Sequence, residues 1–227
     1  MAKLRIISTK SQPFTDREQA GQFLDEELIE YRGRHAVVLG VPRGGVVVAR
    51  EVARALDADL DIVIARKLRT PGYEELAMGS VSEDGKVFLN QDVVRDVGVA
   101  ESYIQMEKAV QLAEIKRRSD MFRQVRPKVP LNGRIVIVVD DGVATGATTQ
   151  AALWSVRTEQ PEKLICAVPV GPEDTLKKLA KGVDEMLCLR APPYFSAVGQ
   201  FYQQFYAVED EEVLRILGAW SKKELLK

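Results

Sequence analysis

The sequence predicts an α/β protein: an open, mainly parallel sheet with helices on both faces. Three observations carry this. Short, almost wholly apolar runs rich in Val, Ile and Leu recur at residues 36–41, 61–65, 135–139, 164–168 and 186–189, and uninterrupted runs of this length suit strands buried on both faces. Helix-length segments separate most of them, as crossovers between parallel strands require. The 227 residues are 46% apolar, enough to fill a core.

The first predicted element is a helix. Thr15 and Glu18 have the spacing of a capping box, Phe23, Leu24, Leu28 and Tyr31 fall on one face, and Gly33 ends it. The run 36–41 is the first core strand. Pro42-Arg43-Gly44-Gly45 breaks it, a helix follows over about 46–56, and residues 61–65 form the next strand, which completes a βαβ unit. Residues 66–77 read as a polar loop around Pro71-Gly72. Residues 78–82 and 86–89 read as a hairpin around Asp84-Gly85. A long helix is expected over about 101–122, with Ile104, Val110, Leu112 and Ile115 as its apolar positions, and residues 126–130 connect it onward. The pattern then repeats: strand 135–139, a Gly/Thr-rich loop, a helix near 148–157, strand 164–168, a short helix over 173–181 and a last strand at 186–189. The tail, residues 191–213, holds six of the thirteen Phe and Tyr residues and reads as an aromatic cap before a terminal helix. The expected organisation is a core over residues 1–190, with a flap at about 66–90, and a hood over residues 191–227 of the same domain.

Composition narrows the function. With 32 basic and 33 acidic residues the net charge is −1, which argues against a protein that coats nucleic acid by bulk electrostatics. The basic stretch 115–128 reads as a solvated helix end. Two cysteines and one histidine make neither a disulfide framework nor a zinc site. Cys166 and Cys188 lie in apolar runs and are expected to be buried free thiols. His35 is expected at a strand edge. No run approaches the roughly 18 apolar residues of a membrane span, and the N-terminus does not read as a signal peptide. A soluble, cytoplasmic setting is the expectation.

Residues 140–149, DDGVATGATT, are the most informative segment. A hydrophobic strand ends in two adjacent carboxylates, small and hydroxyl residues follow, and then a helix begins. Ligands of open α/β sheets bind beyond the carboxyl ends of strands. Glycines admit close backbone approach to an anion, and the free amides of a helix start attract phosphate. Thr145, Thr148 and Thr149 add hydroxyl donors. Two carboxylates beside a phosphate need a different partner, which a sugar diol or a magnesium ion supplies. Phosphate, diol and metal together describe a phosphorylated ribose. The sequence contains no G-x-x-x-x-G-K-S/T and no G-x-G-x-x-G after the first strand, so neither a P-loop nor a dinucleotide fingerprint is present.

The segment VVDDGVATGATT resembles the ribose-phosphate motif of type I phosphoribosyltransferases, and the order and spacing of residues 36–90 and 134–170 extend the resemblance over the core. The whole chain looks like an uncharacterised bacterial subgroup of that family. The resemblance implies that Asp140 and Asp141 hold the ribose hydroxyls of phosphoribosyl pyrophosphate and meet Mg²⁺, directly or through water. It implies that Ala144, Thr145, Gly146, Ala147, Thr148 and Thr149 wrap the 5′-phosphate. Arg43, Gly44 and Gly45 fall where the family places its pyrophosphate loop. Arg66, Lys67 and Arg69 fall in its mobile flap, with Lys67 the leading contact to pyrophosphate. Family members acting on 6-oxopurines commonly carry an Asp at the position of Ala144, so this loop is more similar to the adenine type. Glu74 or Glu75 in the flap is then the candidate general base, with Glu75 counted among the catalytic residues. Tyr194 and Phe195 are the expected wall for a base.

These implications make the chain a magnesium-dependent transferase of nucleotide metabolism, moving a 5-phosphoribosyl group from phosphoribosyl pyrophosphate to a small base. The alternatives are a sensor that binds the donor without catalysis and an enzyme that hydrolyses a phosphosugar. The expected partners are the donor and the base, with no membrane and no nucleic acid. Members of the family are often dimers.

Overall fold

The computed structural model describes residues 3–225, without the side chains of Glu74, Glu75 and residues 222–225. Nine strands and seven α-helices are formed within that range. Four apolar runs of the sequence become β2 (Val37–Gly40), β7 (Ile135–Val139), β8 (Lys163–Val170) and β9 (Glu185–Arg190), whereas the run 61–65 gives only its first two residues to β3 (Asp59–Ile62), which starts earlier. Together with β1 (Lys3–Ser8) they make a six-stranded, wholly parallel sheet in the order β1-β9-β8-β7-β2-β3.

Each central strand is buried on both faces because its side chains alternate between two apolar layers. Val38, Ile137, Ile165 and Leu187 join the layer under α1 (Arg17–Leu28), α2 (Gly44–Leu56) and α7 (Asp210–Leu225). Val37, Val138, Cys166 and Met186 join the layer under α5 (Ala147–Arg157) and α6 (Glu173–Ala180). Both cysteines are free and buried. No helix among the described residues is long and apolar enough to cross a membrane.

Four sequence expectations change. The first element is β1, not a helix. It is an edge strand whose mixed polarity, KLRIIS, leaves it only half-buried. The cap of α1 is shifted by one residue. Asp16, not Thr15, is the N-cap and accepts from the Gln19 amide at 2.8 Å, while Gln19 Oε1 accepts from the Thr15 amide at 2.7 Å. Glu18 is engaged elsewhere, accepting from Arg50 Nη2 at 2.6 Å. Leu24, Leu28 and Tyr31 are buried as expected, but Phe23 is 37% exposed.

Residues 66–77 are not a loop. β4 (Ala65–Thr70) and β5 (Tyr73–Ser82) pair antiparallel around Pro71-Gly72, and β6 (Val87–Leu89) pairs with β5 to complete a three-stranded sheet. Its fully buried residues Leu68, Met78 and Val81 dock it on the body of the molecule. The fourth change is a short additional helix, α3 (Gln91–Val97), capped by the Asn90 side chain, ahead of α4 (Glu101–Arg123). On α4, Ile104 and Ile115 are buried but Val110 is 46% exposed, and two polar residues, Glu107 and Gln111, are buried.

The aromatic tail contains a 3-10 helix at Val198–Phe201 before α7. It is stitched to the entry of α1 by a parallel bridge between Phe14 and Tyr202. His35 sits just before β2, and its carbonyl accepts from Arg134.

Candidate active site

β7 lies in the middle of the sheet and ends at Val139, which sets Asp140 and Asp141 just beyond its carboxyl end. The neighbouring strand β2 ends at Gly40, so residues 42–45 lie beside them. The Pro42–Arg43 peptide is cis. Gly44 and Gly45 open α2 directly against the acids. A Cβ at Gly44 would overlap Asp141 Oδ2, and one at Gly45 would lie 2.8 Å from the Val139 carbonyl oxygen. Glycine is therefore the residue that lets the α2 N-terminus touch both carboxylates.

The two acids have different surroundings. Asp140 accepts from Thr149 Oγ1 at 2.8 Å and from the Asp141 amide at 3.0 Å. Burial first, and the neighbouring Asp141 charge second, push its carboxyl up to about 8. Asp141 Oδ2 accepts from Arg17 Nε at 2.7 Å. Burial raises Asp141 as well, and Arg17 opposes it. Of the pair, Asp141 is the one that faces a cation, and Asp140 is the more strongly raised. Arg17 is itself held: its guanidinium carbon sits 3.9 Å from the Phe205 ring centre, and Nη1 donates to the Tyr206 carbonyl at 2.8 Å. Tyr202 donates to the Asp141 carbonyl at 2.6 Å.

The loop after the acids turns on Gly146, which has φ +77 and serves as the N-cap of α5 without a side-chain cap. The Ala147 amide makes a long contact of 3.5 Å to Thr145 Oγ1, and the start of α5 is open to an anion. Thr145 and Thr148 are exposed. Thr149 is buried with its hydroxyl committed to Asp140. The Ala144 carbonyl accepts from Thr175 at 2.8 Å, which fixes the loop from α6.

A cavity of about 650 Å³ opens between this loop, the flap and α4. Thr145, Ala147 and Thr148 line one side, and Arg66, Lys67 and Arg69 of β4 line the other. Three cations therefore face a helix N-terminus across one space. Asp140 and Asp141 do not line this cavity; Asp140 is tied through Thr149 to the first turn of α5, whose Ala147 and Thr148 do.

A family model described as the phosphoribosyl transferase domain matches residues 15–205. The chain belongs to this family. Two proteins of Mycobacterium tuberculosis, each named "putative phosphoribosyl transferase", are 45% identical to it over 204 residues, which is 90% of this chain and 46% of theirs. The chain thus spans about half the length of the curated relatives it matches. The crystal structure of TT1426 from Thermus thermophilus is 44% identical, with a TM-score of 0.87 over 92% of this chain and 99% of that one. The fold is that of a type I phosphoribosyl transferase.

In this member of the family several other expected residues also lie apart from the cavity. Arg43 pairs with Glu209 of the tail at 2.8 Å on an exposed rim. Tyr194 is 84% exposed. Phe195 stacks on Phe201 and lines a separate open cleft with Pro172 and Pro192. Neither ring lines the large cavity. The Glu74 and Glu75 side chains lie outside the described residues. Conversely, the sequence reading missed Arg17, Tyr202, Glu107, Gln111 and Arg118. Gln111 and Arg118 line the cavity from α4. The only signal for Glu107 and Gln111 is their i, i+4 spacing within a helix that also carries Ile104 and Ile115, one face in common.

Among the described residues no group of three or more His, Cys, Asp or Glu side chains converges to hold a metal, so the chain builds no cage there. Adjacent carboxylates beside a helix N-terminus nonetheless fit the way magnesium is held, by one or two carboxylates, water and substrate phosphates. Asp140 and Asp141 are the residues that fit.

Proposed function

We propose that this phosphoribosyl transferase binds phosphoribosyl pyrophosphate and transfers its 5-phosphoribosyl group to a ring nitrogen of a base. The carbon–oxygen bond to pyrophosphate breaks, a carbon–nitrogen bond forms, and the nitrogen's proton is lost. The observation that carries this reading is the opposition of a helix N-terminus at Thr145–Thr148 to Arg66, Lys67 and Arg69 across one cavity, with Asp140 held by Thr149 of the same helix.

In this reading the α5 amides and the Thr145 and Thr148 hydroxyls take the 5′-phosphate, and the acids accept from the ribose hydroxyls. Gly44 and Gly45 bring backbone amides to the pyrophosphate, and the flap cations stabilise the charge that develops as it departs. Arg43 exchanges its exposed pair with Glu209 for the same anion. A magnesium ion, when bound, supplies neutralising charge for the pyrophosphate. Asp141, paired with Arg17, stabilises an oxocarbenium-like sugar in this reading.

Pyrophosphate release tests this reading. The protein is incubated with the donor, magnesium and a panel of purine, pyrimidine and pyridine bases. Release that depends on one base is expected. Release independent of any base points to donor hydrolysis, and donor binding without release points to a sensor.

A further inference from the structure

We propose that Glu107 and Gln111 of α4 are positioning residues that pin the flap as a standing wall, so that Arg66 and Arg69 form a preset anion cradle. This deepens the proposed function and rests on it for the identity of the anion. Glu107 and Gln111 are each 4% exposed. Glu107 Oε1 accepts from the Arg69 amide at 3.1 Å, from Arg69 Nε at 3.0 Å and from Gln111 Nε2 at 3.0 Å. Gln111 Oε1 in turn accepts from Arg66 Nε at 3.2 Å. One buried carboxylate thus fixes the backbone and side chain of one flap arginine, and through the amide it orients a second.

The β4–β5 register is irregular on both sides of Arg69, and it is there that the strand's amide turns to α4. The opposite side of the flap is docked on α5, where Phe88 stacks on Trp154 at 4.8 Å and Ser80 lies 3.4 Å from Ser155. A segment held from both sides does not have to be ordered when a ligand arrives. Binding avoids the entropy of immobilising two long side chains and a strand. Charged donors around a buried carboxylate also have few alternative partners, which makes the arrangement costly to break.

Amide hydrogen exchange and calorimetry on the full chain test this, comparing the native protein with Glu107→Ala, Glu107→Gln and Gln111→Ala. Exchange over residues 65–70 is expected to quicken in both alanine variants while the central strands keep their protection. Affinities for phosphoribosyl pyrophosphate with magnesium, and for inorganic pyrophosphate alone, should fall about tenfold, the scale of re-ordering such side chains. Glu107→Gln, which keeps the acceptor oxygen, should lie closer to the native protein than to Glu107→Ala. If Glu107→Ala does not fold, Gln111→Ala, which leaves the Arg69–Glu107 pair intact, decides the matter. Unchanged exchange over 65–70 overturns the inference, and so does faster exchange with unchanged affinity for both anions. Native protein that binds inorganic pyrophosphate but not the donor, with the same sensitivity to the variants, keeps this inference and removes the proposed donor. Binding of neither anion by the native protein overturns both.

Discussion

Asp140 and Asp141 are chemically identical neighbours that the fold drives apart. Asp141 faces the Arg17 guanidinium, whereas Asp140 has only a hydroxyl and an amide and is raised to about 8. An acid raised in the folded state binds more protons folded than unfolded between its two pKa values. The contribution of Asp140 to stability therefore falls as pH rises from about 4 to about 8. Replacing Asp140 with Asn removes that titration. The Asn variant should melt several degrees above the native protein at pH 8, with the gap closing toward pH 4. A gap that is constant across this range, or of opposite sign, contradicts the assignment. The acids themselves were legible in the sequence because two carboxylates at the end of a hydrophobic strand are conspicuous. Arg17 was not, since it lies 124 residues from its partner and belongs to an ordinary helix start. Nothing local marks a charge that is recruited by tertiary packing.

At the scale of elements the flap departs most from expectation. Residues 66–77 read as a loop because cations occupy three of the first four positions and Pro71-Gly72 interrupts the run. The alternation that makes β4 a strand rests on Leu68 and Thr70 alone, both buried. Two inward residues are too few for a periodic signal to stand out. The docked hairpin predicts that Leu68→Ala costs about 2–5 kcal/mol of global stability, as for other fully buried leucines. Denaturant melts measure it, and a loss below about 0.5 kcal/mol, the level of a surface change, would return this segment to a free loop. By contrast, the core strands 135–139 and 164–168 were found almost to the residue, because both faces are covered and every position is apolar. The helix cap slipped by one residue since Thr15/Glu18 and Asp16/Gln19 both fit the same spacing. The structure awards the cap to Asp16, with Glu18 drawn to Arg50.

Across the whole molecule, the parallel sheet brings the carboxyl ends of β2 and β7 together and so joins residues 42–45 to residues 140–149. In the sequence that joining is implied by the family resemblance alone, since no strand order can be read from the apolar runs. The walls of the site come from elements whose placement the sequence did not disclose. α4 closes the cavity, the tail braces Arg17, and β1 extends the sheet beyond β9. The aromatic residues illustrate the limit. Six rings in the tail suggested a wall for a base, but Tyr202 and Phe205 serve the acid pair and Arg17, while Tyr194 projects outward. Composition identifies an aromatic segment without assigning its rings to a ligand or to packing.

The most direct test of the central claim is a calorimetric titration with phosphoribosyl pyrophosphate, with and without magnesium. It compares the native chain with the Asp140→Asn, Asp141→Asn double variant. Saturable binding that strengthens with magnesium and is lost in the variant is the predicted result. Absence of binding in the native chain under both conditions, or equal affinity in the variant, would contradict it.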